Sequence, residues 1–313
     1  MLLSAATTAT AADSSQYPTR PIRIIVPQTP GGATDLVGRM IASMLSERLG
    51  VPIVVDNRAG SATVAGSDIA AKAAPDGYTL LVALPALAIL PAMSKTLPFD
   101  PIKDFAGIMT LSTYPNVIMV NAAVPAHSIK ELIALAKASP GKLNYASGGI
   151  GSATHIGVEL FNSMAGIKLV HVTYKGGGPA ITGLLAGEVA MYFNPMPIAL
   201  PIVSNNKLRA LAVTSAGRSS LLPALPTVAE AGVPGFEQTT WNGLVVQART
   251  PPAVINRLYN ETAALMKTPA LRERWATHGL EPGVIGTKEF TALIKSENAK
   301  WSRVIREAGI TPE

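Results

Sequence analysis

Three segments rich in glycine and hydroxyl side chains each lie where an apolar run gives way to a helical pattern. The first is Pro27-Gln-Thr-Pro-Gly-Gly-Ala-Thr-Asp35, in which Gly31 and Gly32 let the backbone approach a bound molecule and Thr34 or Asp35 can cap the following helix. The second is Ala146-Ser-Gly-Gly-Ile-Gly-Ser-Ala-Thr-His155, which offers the backbone of Gly149 and Gly151 and the hydroxyls of Ser147, Ser152 and Thr154. Its His155 sits in the first helical turn, where a neutral imidazole can donate to a carboxylate or make a structural hydrogen bond. The third is Tyr174-Lys-Gly-Gly-Gly-Pro179, with Lys175 as a charge and Gly176 in a triple glycine. Unpaired backbone N–H groups and the helix dipole make such loops anion sites, and the plain alternative for each is a tight turn with an N-cap. Asn194 and Leu84 close strand runs that should end at the same sheet edge, where α/β folds bind ligands.

Catalytic signatures are missing. Neither Gly-x-Ser-x-Gly nor Gly-x-x-x-x-Gly-Lys-Ser/Thr occurs, and Gly-x-Gly-x-x-Gly fails at Thr154. Ser147 or Ser152 with His155 would be a nucleophile and base, but no orienting acid accompanies them, so a hydrolase is the weaker reading. The four histidines lack metal spacing and the chain has no cysteine, which argues against a metal site, and no cofactor is expected.

The elements that must carry these loops follow from the hydrophobic pattern. Strands are expected at Ile22 to Val26, Ile53 to Val55, Tyr78 to Leu84, Asn116 to Val120, Leu143 to Tyr145, Leu169 to Tyr174, Val189 to Phe193 and Leu208 to Val213. Helices alternate with them: Thr34 to Leu49 ending at Gly50, Ser67 to Ala74, a capping box at Ser128 opening a helix to Ala138, and others from Ser152, Pro179 and Pro197. Three more helical stretches, 252–267, 269–278 and 288–308, end the chain, the last with Phe290, Leu293, Ile294, Trp301, Val304 and Ile305 on one face. The pattern predicts an α/β protein of two lobes, each a mainly parallel sheet flanked by helices. Residues 17–120 with 243–313 form the first lobe and 121–242 the second, with hinge strands near 116–122 and 241–247 and a cleft between.

Composition agrees. At 48% hydrophobic and 15% charged residues the chain is globular rather than disordered, and 313 residues suffice for two cores. The net charge of +6 is dispersed, with Arg272 and Arg274 separated by Glu273, so it attracts carboxylates without forming a nucleic-acid footprint. Residues 77–94 carry no charge, yet Pro85 and Pro91 argue against a membrane span there. Residues 1–16 read as the remnant of a secretory signal, with small residues at Ala9-Thr10-Ala11 but no basic region before them.

Taken in order, Tyr17-Pro-Thr-Arg-Pro-Ile-Arg-Ile-Ile-Val-Pro27, Pro30-Gly-Gly-Ala-Thr-Asp35, Val55-Asp-Asn-Arg58, Ala74-Pro-Asp-Gly-Tyr-Thr-Leu80, Leu97-Pro-Phe-Asp100, Pro140-Gly-Lys-Leu-Asn-Tyr145, His171-Val-Thr-Tyr-Lys-Gly176, Leu208-Arg-Ala-Leu-Ala-Val213 and Pro226-Thr-Val-Ala-Glu-Ala-Gly232 resemble the Bug family, the extracytoplasmic receptors of tripartite tricarboxylate transporters. The resemblance implies a periplasmic binding protein of the type II, Venus-flytrap kind, a monomer that closes on a small carboxylate and hands it to a permease of a large and a small subunit. It implies no chemistry on the ligand. In the family one carboxylate is held by the first-lobe loop, here Thr29 to Asp35, and the other end by the second-lobe loop, here Ser147 to His155. Gln28 stands where the family often has an aromatic residue, so a hydrogen-bonding wall replaces an apolar one. Gly60-Ser-Ala-Thr63 replaces the usual Gly-Ala-Gly-Gly. Asn194 stands where an acidic residue is frequent and offers an ammonium group no countercharge, which favours dicarboxylates or aromatic carboxylates over amino acids. A receptor that signals to a sensor partner would use the same residues.

Overall fold

The computed structural model describes residues 17–60, 63–94 and 96–307; the signal-like segment 1–16 lies outside the described residues, as does the side chain of Val304. The run Ile22-Arg-Ile-Ile-Val26 forms β1, and its dense apolar character reflects cover on both faces. Ile22, Ile24 and Val26 meet Val37, Ile41 and Leu45 of α1 (Ala33–Leu49), while Ile25 turns to the opposite core with Leu81 and Ala83. Parallel partners flank it: β2 (Ile53–Asn57) on one side and β3 (Thr79–Ala83) on the other. Between them runs α2 (Val64–Ala71).

After β3 comes α3 (Pro85–Met93), a helix where the sequence showed only charge-free residues broken by two prolines. Pro85 sits in its first turn, where no N–H is needed, and Pro91 lies in the last turn. Burial of Leu87, Ile89, Leu90 and Met93 offsets the lost hydrogen bond.

A 17-residue strand, β4 (Phe105–Asn121), joins the lobes. Up to Pro115 it pairs antiparallel with β9 (Thr239–Gln247), and from Asn116 onward with β7 (Met191–Pro195) and β8 (Leu208–Val213). The first sheet therefore runs β2-β1-β3-β9-β4, with β10 (Glu281–Pro282) on β4, and the second β8-β4-β7-β5-β6. Here β5 is Asn144–Ser147 and β6 is Val170–Thr173. Parallel pairing holds in the outer strands of both sheets and gives way to antiparallel pairing at the crossover strands.

Helices α4 (Ile129–Ala138), α5 (Ala153–Ala165), α6 (Gly177–Ala186) and α7 (Met196–Ala199) cover the second sheet. Half of the capping box of α4 forms as read: Ser128 accepts from the Glu131 amide at 3.2 Å, whereas the Glu131 carboxylate accepts from the amide of His127, one residue before the cap. A second core gathers Ile118, Leu132, Tyr145, Phe161, Phe193 and Phe236. Finally α8 (Pro252–Met266), α9 (Pro269–Ala276) and α10 (Thr287–Glu307) return to the first lobe, where Phe290 of α10 packs over Gly243 of β9 so closely that a side chain there would displace it. Among the described residues no helix is long and apolar enough to cross a membrane.

Candidate functional site

The two lobes touch across the cleft. Thr29 Oγ1 donates to the Lys175 carbonyl at 2.9 Å, joining the β1–α1 loop of one lobe to the β6–α6 loop of the other. Gly176, with φ of +134°, sits against Thr29 where no β-carbon fits. Behind these contacts Ile89 and Met93 of α3, Ile156 of α5, and Trp301 and Ile305 of α10 form an apolar cluster spanning both lobes.

Beneath the contact lies a small hole of about 30 Å³. Its wall includes Ala33 and Thr34 from the first turn of α1, Leu84 at the start of α3, Ser152, Ala153 and Thr154 at the start of α5, and Gly177 at the start of α6. Four helices thus point their N-termini at one spot. The caps Gly32, Leu84 and Gly176 supply no side-chain hydrogen bond, so the leading amides of α1 and α6 are left for another acceptor. Tyr114 of β4, Tyr192 of β7 and Thr240 of β9 close the far side, and burial pushes both phenols far above their ordinary range, so they stay neutral donors. No acidic residue is among the described lining.

The hydroxyls add to this. Thr154 Oγ1 accepts from the Gly148 amide at 3.0 Å, Ser152 Oγ accepts from the His155 amide at 3.2 Å, and the two oxygens lie 3.0 Å apart. One hydroxyl proton bridges that pair and the other is left to donate into the hole.

Outward, a chamber of about 410 Å³ opens between the lobes. Pro27, Val64, Leu90, Met93 and Ile150 make its apolar wall, and Lys175 is the charged residue among the described lining. Gln28 and Gly148 line both spaces.

Of the residues singled out from sequence, Gln28, Thr34, Leu84, Ser152 and Thr154 line the hole, Gln28, Gly149 and Lys175 line the chamber, and Thr29, Gly32 and Gly176 form the contact above. Others stand behind them. Asp35 is 4% exposed, and its carboxylate accepts from the Gly31 amide at 3.0 Å, from Arg39 Nε at 3.0 Å and from Asn57 Nδ2 at 2.9 Å. Asp35 lines neither space, and its oxygens are already engaged. Despite the cost of burial, those donors hold its pKa below the usual carboxylate value.

Ser147 is fully buried, bonded to His171 Nε2 at 2.6 Å and to the Gly149 amide at 3.1 Å, and lines neither space. His155 Nδ1 accepts from the Gly151 amide at 3.1 Å, so the imidazole shapes the loop rather than facing the cleft. Its ring stacks on His171 at 4.1 Å, and His171 stacks on Tyr145 at 5.0 Å. Burial, aided for His155 by its neighbour, lowers the two histidines to about 3 and about 4, leaving both neutral. The serine–histidine pairing considered from sequence does not form: Ser147 meets His171 and not His155, and Ser152 Oγ accepts from the His155 main-chain amide rather than meeting its ring. Asn194 also lies off both spaces, with Nδ2 donating to the Met119 sulfur at 3.3 Å.

Sequence reasoning missed Tyr114, Gly148, Gly177, Tyr192, Pro195 and Thr240. Gly148 and Gly177 were within flagged glycine runs, whereas Tyr114 and Thr240 sit in crossover strands whose pairing no local pattern reveals.

Comparison with known proteins places this geometry. The profile of the tripartite tricarboxylate transporter family receptor matches residues 37–310. Protein BugT of Bordetella pertussis is 37% identical over 295 residues, covering 94% of this chain and 90% of that protein. A Pseudomonas sp. (strain P51) protein from the tcbD-tcbE intergenic region is 37% identical over 292 residues, 93% of this chain and 87% of its own. Among solved structures, R. palustris Rpa4515 with adipate superposes with a TM-score of 0.92 at 34% identity, covering 95% of this chain and 100% of that one. MatC from Rhodopseudomonas palustris with bound malate gives 0.87 at 27% identity, with coverage of 92% and 100%.

Proposed function

The chain belongs to the tripartite tricarboxylate transporter receptor family, and from that premise we propose that it is a periplasmic, monomeric receptor for a small carboxylate, a dicarboxylate or an aromatic carboxylate, which it delivers to the large and small membrane subunits of such a transporter. The family is one of solute receptors and not of enzymes. The carrying observation is the convergence of the N-termini of α1, α3, α5 and α6 on one small hole with no acidic residue in its described wall. Each such end favours an anion by about 0.3–1 kcal/mol. Amides of α1 from one lobe and hydroxyls of α5 from the other then hold one carboxylate between them, so the ligand is bound fully only when the lobes meet. That difference in affinity between open and closed forms drives closure. The hinges are the partner exchange of β4 between Pro115 and Asn116 and the entry to β9 at Thr239, close to the buried bond from Asn116 Nδ2 to Gln238 Oε1 at 2.6 Å. The adipate bound to Rpa4515 and the malate bound to MatC support the ligand class.

The test is a thermal-shift screen of the purified protein against mono-, di-, tri- and aromatic carboxylates, amino acids and sugars, followed by calorimetry. One-to-one binding of a carboxylate is expected. Silence toward every acid together with binding of a sugar would overturn the proposal.

A further inference from the structure

The hole and the chamber differ in size by more than tenfold and share a wall. At about 30 Å³ the hole has room for about two waters or one carboxylate head. The chamber, at about 410 Å³, falls among sites that take whole organic molecules, roughly 300–1,000 Å³. A short diacid such as succinate would place one carboxylate in the hole and its second at the neck, leaving most of the chamber to water beside Val64, Leu90, Met93 and Ile150. A longer body would displace that water from apolar surface, a gain of about fourfold in affinity per buried methylene.

We infer that the ligand is an elongated carboxylate, with its head in the hole, an apolar chain or ring in the chamber and a second anionic group at Lys175, and that Gln28 at the neck holds the head. The inference rests on the receptor reading above and narrows it. Gln28 lines both spaces, and no hydrogen bond engages its side chain among the described residues, so its carboxamide is available where head meets body. Lys175 is exposed at the chamber wall and no ion pair engages it among the described residues, so a distal anion meets an uncommitted cation.

Calorimetry with succinate, adipate, suberate, benzoate and terephthalate tests this on the wild type and on Ile150→Asn, Gln28→Leu and Lys175→Gln. Adipate, suberate or terephthalate should bind at least ~10-fold more tightly than succinate, as two or more extra buried methylenes or a ring require. Ile150→Asn should erase most of that ratio while leaving succinate within about twofold, because only the chamber changes. Gln28→Leu should weaken succinate and the longer acids alike, about tenfold, the worth of one hydrogen bond to a charged group. Lys175→Gln should bring terephthalate toward benzoate by about two- to fivefold, as befits an exposed ion pair. Succinate binding as tightly as the longer acids in the wild type overturns the inference and leaves the carboxylate receptor standing. Failure of all five acids, with a neutral or cationic solute bound instead, removes the carboxylate reading itself. Should Ile150→Asn not fold, the wild-type chain-length ratio decides alone.

Discussion

Both lobes bring a glycine-rich strand-to-helix loop to the cleft, and they satisfy it by opposite means. In the first lobe a charge does the bracing: Asp35 turns back to the Gly31 amide, Arg39 and Asn57, and α1 begins at Gly32 without a side-chain cap. The amides of its first turn are therefore left facing the hole. In the second lobe neutral groups do the bracing: Ser152 caps α5, Thr154 takes the Gly148 amide and His155 takes the Gly151 amide. One loop offers backbone donors fixed by an ion pair, and the other a hydroxyl donor fixed by a neutral network. An anionic ligand needs both, and the charge that braces the first loop is held away from it.

The largest effect should come from separating the loops. Gly176→Val puts a side chain against Thr29 and forces a valine into φ of +134°, so the lobes cannot meet. Carboxylate affinity should fall ~100-fold or more, and small-angle scattering should show an open form even with ligand present. Tight binding by a closed variant would mean the Thr29–Lys175 contact is not part of the bound state.

Next in size is the acid limb of the neutral loop. The unfolded chain protonates its histidines near pH 6.5, whereas the folded protein holds His155 and His171 neutral down to about 3 and about 4. Below pH 6.5 the unfolded state therefore binds more protons, and stability falls as pH falls toward 4, with no contribution to the slope above about pH 7. The loss should reach about 2 kcal/mol or more by pH 5, read as a drop in Tm, and His155→Gln with His171→Gln should flatten it. A wild-type Tm that does not change between pH 7 and 5 would show that these imidazoles stay accessible to protons.

The charged brace responds in a lower window. The Asp35 carboxyl is held below its ordinary value, so its stabilisation is present above about pH 4 and is lost as pH falls through the folded value. Asp35→Ala leaves the Gly31 amide, Arg39 and Asn57 without their acceptor and should cost about 2 kcal/mol, roughly 4 °C in Tm, and weaken ligand binding through the loop. Unchanged stability in the variant would mean that Arg39 and Asn57 hold the loop without it.

How much of this was readable follows from the kind of interaction involved. The strand at Ile22–Val26 and the strand at Leu208–Val213 were legible to the residue because burial writes itself into apolar runs. The glycine loops were legible because positive φ and close approach select glycine. The role of Asp35 was not, since its partners Asn57 and Arg39 are brought to it by the β1–β2 pairing and by the turn of α1. The first half of β4 was hidden by Pro115, a residue that argues against a strand and that here falls where the strand changes partners. Likewise α3 was hidden because its two prolines outweigh its apolar pattern until the cover supplied by α10 is known.

The smallest and most discriminating test falls on the neutral loop. Thr154→Val removes the acceptor of the Gly148 amide and one end of the hydroxyl bridge, while Ser152→Ala removes the cap of α5 and the other end of that bridge. Each should cost about 1 kcal/mol of stability. If the spare hydroxyl proton meets the ligand carboxylate, each should also lose about five- to tenfold in affinity, and the double variant should lose little more than either alone, because the two hydroxyls share one outgoing donor. Fully additive losses would instead place both hydroxyls on the ligand independently, and the contrast with the first lobe would then lie in the number of side-chain donors rather than in the way a single donor is held.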